Sequence, residues 1–180
     1  MKPTLVISLL CVCLLSTVEA RALPDSCGKE DTNFKVTTQL NPPPLAPPEA
    51  GKAQIVFLET ENSGGQFINP GNEARIGVDG AWTGATKGDS YFAVAMSPGQ
   101  HHLCVNLVKN NDSEWNGTAL TSVNVEQGKV YYYRVKILHL RIGAWPTGDI
   151  IQSLDLTPVN EDEGKYLINS LALVIAKPGK

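Results

Sequence analysis

The sequence predicts a mainly β fold, an antiparallel β-sandwich with a short C-terminal helix, from three observations. Apolar and polar residues alternate through residues 91–96, 101–107 and 129–138. Asp79-Gly80 and Pro98-Gly99 punctuate these runs as tight turns do. Helical spacing occurs in one place, after Asn160.

Residues 53–59 hold Ile55, Val56, Phe57 and Leu58 in succession, apolar on both faces as a central strand requires. Ser63-Gly64-Gly65 and Pro70-Gly71-Asn72 mark the next stretch as a loop. Residues 74–108 then read as three antiparallel strands joined by tight turns. In the first, Ile76 and Val78 face away from Arg75 and Asp79. In the second, Phe92, Val94 and Met96 share a face. In the third, His101, Leu103, Val105 and Leu107 oppose His102, Cys104 and Asn106.

Residues 119–125 alternate through Thr121, Val123 and Val125. The strongest strand, 129–138, turns Tyr131, Tyr133, Val135 and Ile137 inward and Tyr132, Arg134 and Lys136 outward; another strand covers 150–156. Asn160 followed by Glu161, Asp162 and Glu163 is a helix start, and Leu167, Ile168 and Leu171 recur at helical spacing. Residues 171–175 fit either the end of that helix or a last strand. The expected core-facing side chains are Phe92, Val94, Leu103, Val105, Tyr131, Tyr133 and Val135, while Asn106 on the opposite face should tolerate change.

Three segments precede or make up the domain. Residues 1–20 combine Lys2, an apolar run over 5–15 and Val18-Glu19-Ala20, the pattern of a secretory signal peptide cleaved after Ala20. The run is shorter than the about 20 apolar residues that span a bilayer, so the mature chain is expected in the periplasm or outside the cell, with no transmembrane segment. Leu10 and Val12 precede Cys11 and Cys13, and Asp25-Ser26 precedes Cys27. None of these suits lipoprotein processing, and no lipid anchor is expected. Residues 21–51 are proline-rich through Asn41-Pro42-Pro43-Pro44-Leu45-Ala46-Pro47-Pro48, as a stiff linker would be. Residues 52–180 form a single sandwich domain. Once the leader is gone, Cys27 and Cys104 remain, and an oxidising compartment makes them a disulfide. The formal charge of −3 and the lack of a basic stripe exclude sequence-independent nucleic-acid binding.

Val78-Asp79-Gly80, Tyr91-Phe92-Ala93-Val94, Pro98-Gly99-Gln100-His101-His102-Leu103 and Gly128-Lys129-Val130-Tyr131-Tyr132 together resemble an uncharacterised family of exported bacterial domains, a domain of unknown function often described as a putative lipoprotein. Their turn logic is similar to small immunoglobulin-like cell-surface repeats, although the Pro-Glu-Gly-Ala signature of those repeats is absent and Thr83-Gly84-Ala85 sits near its place. The resemblance implies an immunoglobulin-like sandwich in the bacterial cell envelope and no known activity. It also departs from the family in lacking a lipid-attachment cysteine. In a bacterial source Asn111-Asp112-Ser113 and Asn116-Gly117-Thr118, which match the glycosylation acceptor pattern, are a polar loop.

No catalytic residue, cofactor or metal site is expected. There is no nucleophile elbow, phosphate loop or dinucleotide fingerprint. His102 and Cys104 share a strand face, but His139 is the one further imidazole or thiol donor of the usual kind, and zinc takes three or four ligands. An oxidised Cys104 cannot be a nucleophile for His102 to activate. Asp162 and Glu163 are explained by the helix start rather than by glycoside hydrolysis. Trp82, Trp115 and Trp145 fall in segments read as turns or loops. Such aromatics stack on a sugar or anchor a partner protein, or else fold back to cap the sandwich. The function expected is a non-catalytic interaction module binding a protein or glycan of the cell envelope. The alternative is a hydrolase acting on an envelope polymer through an unrecognised active site.

Overall fold

The computed structural model describes residues 27–29, 32–60, 73–108, 117–143 and 149–179, the side chains of 139–142 and 149–152 excepted. The elements run β1 (Phe34–Gln39), β2 (Ala53–Glu59), β3 (Glu73–Val78), β4 (Ala81–Lys87), β5 (Ser90–Met96), β6 (Gly99–Leu107), β7 (Thr118–Val125), β8 (Val130–Ile142), β9 (Asp149–Val159), α1 (Glu161–Ile168) and β10 (Ala172–Pro178). They form a six-stranded sheet in the order β1-β10-β5-β2-β8-β9 and a four-stranded sheet in the order β4-β3-β6-β7. The mainly β architecture is as the alternation implies.

The two sheets share one core. Ile55, Phe57, Tyr133 and Val135 from the larger sheet meet Ala74, Ile76, Leu103 and Val105 from the smaller, with Phe92, Val94 and Tyr131 packed against them. Strand alternation thus picked the inward residues correctly. The tip of the Phe92 ring lies against Gly84 of β4, and any Cβ at Gly84 would run into it.

Several expectations need correction. The run 74–108 contains four strands, not three, because Asp79 (φ 50°) and Gly80 (φ 81°) both adopt positive φ. That is the geometry of a two-residue hairpin turn, which returns the chain at once into β4. Trp82 therefore lies on a strand, opposite Gly77, and β5 belongs to the other sheet. The larger sheet is mixed rather than antiparallel, since β8 runs parallel to β2 and β10 parallel to β5. Part of the proline-rich segment, β1, pairs with β10 inside this sheet. Residues 171–175 resolve largely into β10, so the helix ends at Ile168.

Two side chains assigned to outer faces are buried. Tyr132 belongs to a second cluster with Val56, Leu58, Tyr91 and Leu171, covered by Leu167 and Ile168 of α1 and by Leu45. α1 can sit there because Asn160 caps it, accepting a hydrogen bond from Glu163 N at 2.9 Å. Gly164 also lets the helix backbone rest directly on the Tyr132 ring, and Arg134 Nη2 pairs with Glu163. Asn106 is 1% exposed on the outer face of the small sheet. Its burial follows from what crosses that face.

Candidate functional site

The disulfide Cys27–Cys104 is formed, with Cα atoms 5.0 Å apart and both residues buried. Cys104 lies on the face of β6 opposite Leu103 and Val105, so the bond draws residues 27–29 across the outside of the four-stranded sheet. Trp82 secures them there: its Nε1 donates to Lys29 O at 2.7 Å. Glycine is required beneath this crossing. A Cβ on Gly77 would lie 2.5 Å from the Cys27 carbonyl oxygen and 3.1 Å from the Trp82 ring, and one on Gly28 (φ 143°) would lie 2.7 Å from Trp82 Cδ1.

Arg75 completes the layer. Its guanidinium lies 4.5 Å from the centroid of a Trp82 ring, a cation–π contact. It donates through Nη1 to Thr32 O at 3.0 Å and through Nη2 to Asn106 Oδ1 at 2.6 Å. Asn106 in turn donates to Gly117 O and to Thr118 Oγ1. Trp82, offered by the sequence as a ligand-binding aromatic, is engaged as a support for the chain that covers it, and so is not a free stacking surface.

The strand ends define two poles. At one, Glu59, Glu73, Lys87 and Val108 come together: Lys87 pairs with Glu73, Gly88 N donates to Glu59 Oε1, and Val108 N donates to Glu73 O. Gly117 returns here too, accepting from Leu107 N. β8 runs toward this pole parallel to β2, and beyond Val135 its residues Lys136 to Ile142 continue paired with β9. Trp115 and Trp145 lie outside the described residues. The described residues on either side of them, Val108 and Gly117 for one, Gly143 and Asp149 for the other, stand at or project from this same end.

At the opposite pole sits a polar cluster that the sequence did not reveal. Asp79 Oδ2 meets His101 Nδ1 at 2.6 Å, His101 Nε2 meets Ser97 O at 2.8 Å, and Asp79 Oδ1 accepts from His102 N at 2.8 Å. With acceptors on both ring nitrogens, the imidazolium is the form that satisfies both bonds. Burial alone would lower the His101 pKa, but the Asp79 hydrogen bond, the Ser97 carbonyl and the Asp79 charge together raise it above the ordinary value. Burial would likewise raise Asp79, yet the His102 amide, the His101 bond and the charges of both histidines lower it. No signal links Asp79 to His101 across 22 positions; only the β3–β6 ladder brings them together.

This cluster is not a hydrolytic triad, since His101 faces the carbonyl of Ser97 and not its hydroxyl. The Ser97 hydroxyl accepts from Lys52 Nζ at 3.0 Å, in an exposed setting, whereas a lysine that activates a serine is desolvated. Among the described residues no group of three or more His, Cys, Asp or Glu side chains is placed to hold a metal ion. Nor is any described helix long and apolar enough to cross a membrane. No family model, no curated protein and no solved structure matches the chain.

Proposed function

We propose that the protein is an exported, non-catalytic interaction module of the cell envelope that binds a protein or glycan at the pole from which the β8–β9 hairpin projects. The observation that carries this reading is that the described strand ends flanking residues 109–116 and 144–148 lie toward the same end of the sandwich, the second pair at the tip of the β8–β9 extension. A rigid sandwich presenting loop aromatics at one end is how immunoglobulin-like domains build binding surfaces. The resemblance to exported bacterial domains and the signal-peptide pattern belong to the same proposal, and the Cys27–Cys104 disulfide suits an oxidising compartment. Among the described residues, Cys27 and Cys104 are held in a disulfide and His101 is engaged at both ring nitrogens in holding the fold.

The test is a glycan array and an envelope-protein pull-down with the mature chain, comparing Trp115→Ala and Trp145→Ala with wild type. Binding losses of about 2 kcal/mol or more are expected at anchoring aromatics, with unchanged thermal unfolding. Full binding in both folded variants would remove this pole from consideration. Release of fragments from an envelope polymer would favour the hydrolase reading instead.

A further inference from the structure

The four-stranded sheet ends on β7, and no described strand pairs with its outer edge. The bond from Leu107 N to Gly117 O identifies that pair as hydrogen-bonded. By the two-residue period of an antiparallel ladder, Ala119, Thr121, Val123 and Val125 direct their backbone groups to β6, while Thr118, Leu120, Ser122 and Asn124 direct theirs outward. β7 therefore offers a row of donors and acceptors along a side that no described strand pairs with.

Exposed edges are normally blunted by charge, proline or a bulge, because an unprotected edge recruits another strand. The other three sheet edges here follow that rule. β1 carries Lys35; β4 carries Lys87 and a register shift at Thr83; β9 carries Asp149, Asp155 and Pro158. β7, with the sequence Thr-Ala-Leu-Thr-Ser-Val-Asn-Val, has none of these devices, and its pairing with β6 runs without a shift. Neither β6 nor β7 contains Lys, Arg, Asp or Glu.

We propose that β7 is a dimer interface, pairing antiparallel with β7 of a second copy of this chain about a two-fold axis at Thr121. The choice of a second copy rests on self-complementarity. A strand carrying charge and paired with itself brings like charges close, and β7 has no charge to repel. Pairing about Thr121 sets Thr118 opposite Asn124 and Leu120 opposite Ser122. All four are outward-facing residues, so each pair is a hydrogen-bonded one. Leu120, 48% exposed, then becomes the diagonal neighbour of its own copy, within reach for a leucine side chain. The result joins two four-stranded sheets into one continuous sheet through an isologous contact. This proposal does not depend on the binding pole.

Sedimentation of the mature chain over a range of concentrations, together with amide hydrogen exchange, tests it. A monomer–dimer equilibrium is expected, with the amides of Leu120, Ser122 and Asn124 slowing in exchange as concentration rises. Ser122→Pro removes an outward N–H that β6 does not use, so it should weaken dimerisation at least about tenfold in a chain that still folds. Ser122→Lys does the same by charge and covers the case in which the proline variant fails to fold. Trp115→Ala and Trp145→Ala should leave the dimer intact, which separates this proposal from the binding pole. A chain that stays monomeric throughout, or a dimer indifferent to both folded Ser122 variants, would overturn the proposal. So would protection of these three amides in the dilute monomer, which would mean that another segment of the same chain covers the edge.

Discussion

Arg75 and Asn106 face each other across β3 and β6 and are joined side chain to side chain at 2.6 Å, on the face of the sheet turned away from the core. Both are nearly fully buried. The guanidinium also holds Thr32 O and lies over Trp82, so Asn106 is a link between the sheet and the segment that crosses it. Asn106→Ala takes a charged donor's acceptor away and leaves Gly117 O and Thr118 without the amide's hydrogen bonds. A loss of about 1–3 kcal/mol is expected, comparable with the about 1–3 kcal/mol for emptying a core methyl site by Val105→Ala. Urea denaturation of the two single variants makes the comparison, and a near-neutral Asn106→Ala would show that water replaces these bonds without cost.

Breaking the disulfide should act at the same place. Cys27 and Cys104 are 77 positions apart, and chain entropy sets an upper stabilisation of about 4–5 kcal/mol for a loop of that size. Cys27→Ser with Cys104→Ser should lower stability toward that limit and free residues 27–29. Trp82 would then lose the Lys29 carbonyl and become open to quenching by iodide. The readout is the quenching of Trp82 in a Trp115→Phe, Trp145→Phe background, where its emission stands alone. Equal quenching in the oxidised and serine forms would mean that the crossing segment does not depend on the disulfide.

Alternation along single strands says which residues share a face, and it placed Leu103, Val105, Tyr133 and Val135 in the core, where they are. It does not say whether the opposite face is covered. Tyr132 and Asn106 look outward by the same logic, but α1 covers one and the disulfide-held segment covers the region around the other. Both covers come from chain distant in sequence. The start of α1 was legible because a cap is local: Asn160 and the acids after it suffice. The Asp79–His101 contact was not, because it depends on the register of β3 against β6. Trp82 lies on a strand rather than in a loop because the Asp79-Gly80 turn returns the chain into β4 after only two residues, which the Asp-Gly pair alone does not specify.

Gly164 in the middle of α1 gives a test in which helix propensity and packing oppose each other. Alanine in a helix interior is favoured over glycine by about 1 kcal/mol. Here a Cβ would enter the Tyr132 ring, which is buried between the helix and the sheet. Gly164→Ala should therefore destabilise, and Gly164→Ala with Tyr132→Leu should recover part of the loss by making room. Thermal unfolding of the three proteins decides it. A Gly164→Ala variant more stable than wild type would mean that α1 shifts outward at little cost.

The Asp79–His101–Ser97 contact should make stability depend on pH on both sides of a window. His101 has a raised pKa in the folded protein, so its contribution is complete below the unfolded histidine value, near about 6.5. That contribution is lost as pH rises through the raised folded value and the imidazolium gives up a proton. Asp79 has a lowered pKa. Its contribution is complete above the unfolded carboxylate value, near about 4, and is lost as pH falls through the lowered folded value. The latch is strongest between these limits, where Asp79 is ionised and His101 protonated. His101→Gln keeps a polar side chain but cannot carry the charge. The difference in melting temperature between wild type and this variant should therefore be largest from about pH 4 to 6.5 and shrink on either side. Taking the difference cancels whatever titrates alike in the two proteins. A difference that grows as pH rises above neutrality would mean that neutral His101 is the form the fold prefers, and that its two acceptors are not both engaged in solution.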